Sequence, residues 1–181
     1  MNEQNANSAA ETLAAWQARA DELGRIARDY GVASREQLAG KTGVQIFHAM
    51  MAGELPAPPI GRTLDFILVE VELGRVAFQG RPGLAHYNPM GSVHGGWFAT
   101  LLDSALGCAV GSALPAGKGY TTVELKINIV RPLTDKVPLV RASAQVVHLG
   151  GRMATSEGRL TGPDGKLYAH GSTTCFVFDA P

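Results

Sequence analysis

Between His86 and Val110 the chain reads HYNPMGSVHGGWFATLLDSALGCAV, and the residues best suited to chemistry lie here. Asp103 is a carboxylate set between Leu101-Leu102 and Ala105-Leu106, within a run from Gly95 to Leu114 whose residues are otherwise apolar or small. As a helix, such a run must be buried nearly all round. An unpaired charge in that setting is costly, so the group is expected to be partnered, neutralised or functional. It could act as general base on a water, or attack a carbonyl directly to form a mixed anhydride. A helix that starts at Gly95-Gly96 offers unpaired amides and the positive end of its dipole, and the missing side chains let a ligand reach the backbone. Such a place can stabilise an oxyanion, as acyl transfer requires. The plainer alternatives are a tight turn at Gly95-Gly96 with His94 beside the cap, and a structural hydrogen bond to Asp103 from Ser104 or a strand hydroxyl.

Around this centre the other candidates are weaker. Asn88-Pro89 is a turn signal whose side-chain amide could orient a water or a carbonyl if the loop folds over the site. Thr122 lies near the start of a strand, on a polar row with Glu124 and Lys126. Trp97 and Phe98 could touch a bound group, although large aromatics near a helix start are more often core. Arg131, Arg152 and Lys126 are the cations nearest strand ends that could meet phosphates. His48, His86, His148 and His170 are isolated in sequence. The chain has no nucleophile elbow, Walker loop or HExxH signature. Its two cysteines, Cys108 and Cys175, form neither a disulfide framework nor a metal-ligand spacing, so no metal is expected.

Elements to position these groups can be read from the periodicities. Leu13, Trp16, Ala20, Leu23, Ala27 and Tyr30 recur at helical spacing and predict an amphipathic helix ended by Gly31. Ser34 with Gln37, and Thr42 with Gln45, fit capping boxes and predict short helices near 35–40 and 44–52. Leu55-Pro56-Ala57-Pro58-Pro59 stops any helix and separates a helical extension and linker, residues 1–58, from the main unit, residues 59–181. Strands are expected over 66–71 and 75–79 around Leu73-Gly74, then over 121–130, 139–148, 152–161 and 167–178. In the strand from Thr121, Val123, Leu125, Ile127 and Ile129 should share one face, with Thr122, Glu124, Lys126 and Asn128 on the other. One buried helix among about six antiparallel strands predicts an α+β fold in which the sheet curls around the helix.

Composition narrows the partners. Sixteen basic residues balance sixteen acidic ones, leaving no field to attract nucleic acid or an anionic membrane. A membrane-spanning role for residues 97–114 is opposed by Asp103, since a central Asp costs roughly 2.5–3.5 kcal/mol on insertion. A small-molecule or protein partner is expected instead, and the polar start, residues 1–11, lacks the regions of a secretory signal, so a cytoplasmic protein is expected.

Taken together, Asn88, Gly91, His94-Gly95-Gly96 and Asp103, seven residues after the second glycine, resemble the pattern of the hotdog-fold acyl-CoA thioesterases of the PaaI-like (phenylacetate-pathway) group. The resemblance continues through Gly119-Tyr120-Thr121-Thr122-Val123-Glu124-Leu125 and Asn128 to Arg131-Pro132 and covers roughly residues 59–178. It implies a hotdog fold and hydrolysis of an aryl- or fatty-acyl-CoA, coenzyme A being part of the substrate and no cofactor being needed. Asp103 would then be the catalytic carboxylate, and the Gly95 amide would bind the thioester oxygen. His94 and Asn88 would position thioester or water, Gly96 and Trp97 would contact substrate, and Thr122, from a second subunit, would help hold the water. It also implies a homodimer or a tetramer built as a dimer of dimers. Two further functions stay open beside it: a hotdog hydratase or dehydratase using His94 with Asp103, and a non-catalytic acyl-CoA-binding module with a structural Asp103.

Overall fold

The computed structural model describes residues 3–180, as helices α1 (Glu3–Gly24), α2 (Arg35–Leu38), α3 (Gly43–Met51), α4 (Pro59–Thr63) and α5 (Gly95–Ser112), with strands β1 (Phe66–Glu72), β2 (Arg75–Gly80), β3 (Lys118–Ile129), β4 (Val140–Leu149), β5 (Met153–Thr161) and β6 (Leu167–Asp179). The strands form one antiparallel sheet in the order β1-β2-β4-β5-β6-β3. The sheet wraps α5, whose Phe98, Leu101, Leu102 and Leu106 pack with Val140, Ala142 and Leu160 in the main core. This is the hotdog arrangement.

The capping boxes form: Ser34 N donates to Gln37 Oε1 at 2.8 Å while Ser34 Oγ accepts from Gln37 N at 3.3 Å, and Thr42 N donates to Gln45 Oε1 at 2.9 Å. Two local expectations change. The first helix ends at Gly24 rather than Gly31, and Tyr30 instead bridges to Ala57 in parallel. Proline at N1 needs no amide proton, which lets the proline-rich linker run directly into α4 at Pro59.

Along α5 the burial is one-sided, not complete. Gly96 is exposed, and Ala99, Thr100, Asp103 and Ser104 are half-buried, at the three- and four-residue spacing of one helical stripe. A single sheet can cover only the other side, and glycine, alanine and serine carry too little polarity to mark the open stripe in the sequence.

β3 also departs from simple alternation. Thr122 pairs with Cys175 and Glu124 with Thr174, so Val123 is a bulge residue, 57% exposed. The extra residue switches the facing pattern. Thr122 turns towards α5 before the bulge, and Leu125 and Ile127 turn into the core after it, whereas strict alternation puts Thr122 and Leu125 on opposite faces. Lys126, between two core-facing residues, lies on the face away from α5.

The N-terminal helices hold two places. α1 lies on the outer face of the sheet, where Leu23 packs with Val69 and Ala77, Arg19 Nε donates to the Val69 carbonyl at 3.1 Å, and Gln79 Nε2 donates to the Trp16 carbonyl at 3.1 Å. α3 crosses the C-terminal end of α5, with Gly43 N donating to the Leu114 carbonyl at 3.0 Å.

Candidate active site

The start of α5 is organised by His94, whose backbone is extended and whose Nδ1 accepts from Gly96 N at 2.9 Å. With Nδ1 accepting, the neutral ring carries its proton on Nε2, on an exposed side chain. Trp97 N donates to the His94 carbonyl at 3.0 Å. Among the described residues the Gly95 N–H has no acceptor, whereas that of Gly96 is taken by His94. Gly95 rather than Gly96 is therefore the donor available to an incoming oxygen.

Asn88 works within its own loop. Its Oδ1 accepts from Met90 N at 2.9 Å and Ser92 N at 3.3 Å, its Nδ2 donates to Ser92 Oγ at 3.2 Å, and Gly91 supplies the left-handed turn at φ 81°. The loop is fastened to its surroundings by His94 N to the His86 carbonyl at 2.8 Å and by Val93 N to the Leu133 carbonyl at 2.9 Å. Tyr87 Oη adds a bond to Asp135 Oδ1 at 2.8 Å. Asn88 thus sets where His94 and Gly95 stand, with its side-chain amide committed locally.

Trp97 is buried. Its Nε1 donates to the Leu64 carbonyl at 2.9 Å and the His86 ring stacks on it at 5.5 Å, so it supports the helix start from below instead of lining the open stripe.

Two turns along, Thr122 Oγ1 donates to Asp103 Oδ1 at 3.1 Å. The resemblance has Thr122 of a second subunit help hold the water; in the structure Thr122 bonds Asp103 of its own chain, because β3 runs beside α5 and the bulge turns Thr122 to it. Thr121, one residue earlier, is exposed. The bond leaves Oδ2 free to take a proton.

Beyond Asp103 the same stripe is closed by Tyr120, a residue to which no role is given by its type in the sequence. Its Oη lies 3.8 Å from Cys108 Sγ. Burial pushes the Cys108 thiol from an ordinary 9.0 up to about 12, and burial with the neighbouring Cys108 raises the Tyr120 hydroxyl too. Both groups are acids held neutral by the fold, so the linkage has one sign. Their contribution to stability is complete below pH 9 and is lost as pH rises from 9 towards 12. The urea midpoint is accordingly expected to be flat from about pH 7 to 9 and to fall at about pH 10–11, with less fall in Cys108→Ala. Iodoacetamide should label native Cys108 far more slowly than the unfolded chain at about pH 8.

Arg131 follows β3, with Nε 3.4 Å from the Leu167 carbonyl, and Arg152 sits over the Phe176 ring at 5.6 Å. Among the described residues no group of three or more His, Cys, Asp or Glu side chains could hold a metal ion, and no helix is long and apolar enough to cross a membrane.

A helix start with one unengaged amide thus shares the uncovered stripe of a sheet-wrapped helix with a hydroxyl-bonded carboxylate. Comparison with known proteins identifies the family. A family model described as the thioesterase superfamily matches residues 90–169. The fold resembles that of a provisionally described thioesterase, the phenylacetic acid degradation-related protein of Ralstonia eutropha JMP134, with TM-score 0.66 and 30% identity over 72% of this chain and 98% of that one. A mutant form of the phenylacetic acid degradation protein PaaI of Thermus thermophilus gives TM-score 0.59 and 27% identity, over 65% of this chain and 97% of that one. A curated Halobacterium salinarum protein, provisionally named an esterase, is 39% identical over 69 residues, which are 37% of this chain and 44% of that protein. The matched part thus spans less than half the length of that curated relative. The chain belongs to the thioesterase superfamily, and PaaI-related proteins are among its structural relatives.

Proposed function

We propose that the protein hydrolyses acyl-CoA thioesters to free acid and CoA, with Asp103 acting on water or on the carbonyl and the Gly95 amide polarising the thioester oxygen. The observation that carries this reading is the Thr122–Asp103 hydrogen bond on the one stripe of α5 that the sheet leaves uncovered. A carboxylate fixed by a hydroxyl at one oxygen presents the other in a defined direction, as proton abstraction or attack requires. Thioester hydrolysis needs only water besides, so the reading includes no cofactor, and a cytoplasmic setting goes with it.

Geometry further favours a site shared by two copies. Gly95 and Asp103 are eight residues apart, about 12 Å of helix axis at about 1.5 Å per residue. A carbonyl held on Gly95 is therefore too far for direct attack by Asp103 of the same chain. A second α5 lying antiparallel alongside would bring its Gly95 end to this Asp103. The Asp103–Thr122 pair would then come from one chain and the His94–Gly95 start from its partner. β3 is an edge strand, and Val123, Ile129 and Val130 are exposed along it and just past its end, a surface a second copy could cover.

Free-thiol release over aryl, short, medium and long acyl-CoAs tests the reading. Turnover of at least one of them is expected. Tight binding without turnover, or a hydroxyacyl product from crotonyl-CoA in place of free thiol, would overturn it. Thr122→Val should lower kcat by about 10- to 100-fold, the worth of one hydrogen bond to a charged group, while the fold persists by circular dichroism.

A further inference from the structure

We propose that Tyr120, braced by Phe47 of the N-terminal extension, is a length stop for the acyl chain, so that short acyl groups are accepted over extended fatty ones. The proposal rests on the reading of the Asp103 stripe as the thioester site.

The stripe is open from Gly96 to Ser104; of its next members Gly107 and Gly111 are buried, and Cys108 beside them is half-buried. What covers the two glycines is the Tyr120 ring. A Cβ placed on Gly107 would lie 3.2 Å from Tyr120 Cε2, and one placed on Gly111 would lie 2.5 Å from Cε1 and 3.0 Å from Cζ. The ring therefore lies across two successive turns of bare helix backbone, a fit only glycines permit. The wall adjoins the reactive pair, because Thr122 Oγ1 stands 3.8 Å from the same Gly107 position.

Tyr120 has little freedom to move aside. Phe47 Cε2 is 3.1 Å from the Gly111 position, beside the Tyr120 ring, and α3, which carries Phe47, is tied to the end of α5 by the Gly43–Leu114 bond. Cys108 meets its hydroxyl end. The extension thus reaches the site indirectly, by backing the wall.

Direction follows from the shared site. With the thioester carbonyl on the partner's helix start beside Asp103 of this chain, the partner's α5 covers the stripe back towards Gly96. The nucleotide end of CoA, large and anionic, stays in solvent, and the acyl group takes the stripe onward from Asp103. From Asp103 to Gly107 is about 6 Å of helix, and a chain following it meets a ring supported by backbone.

The test compares kcat/KM for thiol release from butyryl-CoA and dodecanoyl-CoA in the wild-type protein, Tyr120→Ala, Tyr120→Phe and Phe47→Ala. The wild type should prefer butyryl-CoA. Tyr120→Ala should raise the dodecanoyl-to-butyryl ratio by about 10-fold or more, in the range that pocket volume commands. Tyr120→Phe, which keeps the ring, should leave the ratio unchanged, and Phe47→Ala should move it in the same direction by a smaller factor. A purely structural role would depress both substrates together. If Tyr120→Ala does not fold, Phe47→Ala decides. An unchanged ratio in the folded variants, or a wild type that turns over dodecanoyl-CoA as well as butyryl-CoA, overturns the length stop while leaving the thioesterase reading intact. A wild type inactive on every acyl-CoA overturns both.

Discussion

Asp103→Ala and Asp103→Asn are each expected to lower kcat for acyl-CoA hydrolysis by about 1,000-fold, within the range a positioned acid–base group supplies, with the fold retained. The side chain is half-buried on an open stripe and touches the protein through Thr122 Oγ1 alone among the described side-chain bonds, so its removal leaves no core cavity. Asparagine preserves the shape and can still accept from Thr122, but it has neither basicity nor nucleophilicity. Loss in both variants therefore isolates the charge. Steady-state thiol release measures the effect, and a folded Asp103→Ala protein with wild-type turnover would remove Asp103 from the reaction. Single-turnover hydrolysis in isotopically labelled water separates the two routes, since label enters Asp103 only if a mixed anhydride forms.

Gly43→Ala should cause the largest loss of stability. A Cβ at Gly43 would lie 1.7 Å from the Gly111 carbonyl oxygen and 2.7 Å from its carbon. Both belong to the backbone of a buried helix, so nothing there can rotate away. α3 must lift from α5 and break the Gly43–Leu114 bond, at about 3 kcal/mol by the usual cost of overpacking. For a chain of this size that lowers Tm by about 6–12 °C. Gly24→Ala is the control: a Cβ there meets nothing within 4 Å, and its Tm should stay close to that of the wild type. Equal melting of the two variants in calorimetry would show that α3 does not hold the end of α5.

How far the sequence carries this picture depends on which interactions act locally. Ser34 and Thr42 announce helix starts because a cap is satisfied within four residues, and the strands around Leu73-Gly74 and Gly150-Gly151 announce themselves by their turns. The spacing of His94, Gly95 and Asp103 is legible because helix geometry alone places them on one element. The choice of Gly95 over Gly96 as free donor is not, because it depends on which way the His94 ring turns. Asn88 reads equally well as a turn former and as a ligand group, and only the structure shows its Oδ1 accepting from Met90 N and Ser92 N and its Nδ2 donating to Ser92 Oγ. The roles of Tyr120 and Phe47 are hidden for a different reason: they depend on contacts between segments far apart in the chain, and on glycines whose function is to make room.

The bulge at Val123 has a consequence for how this protein can vary. A strand of strict alternation cannot turn both Thr122 and Leu125 inward, so one strand supplies both the Asp103 partner and a core leucine only because it carries an extra residue between Thr122 and Glu124. Many side chains are compatible with position 123, which is exposed, but its deletion is not: either the Asp103 partner or a core leucine would turn outward. The arrangement rests at this point on a residue count: substitution scans should pass over position 123, whereas a single-codon deletion there should cost the Thr122–Asp103 bond or core packing.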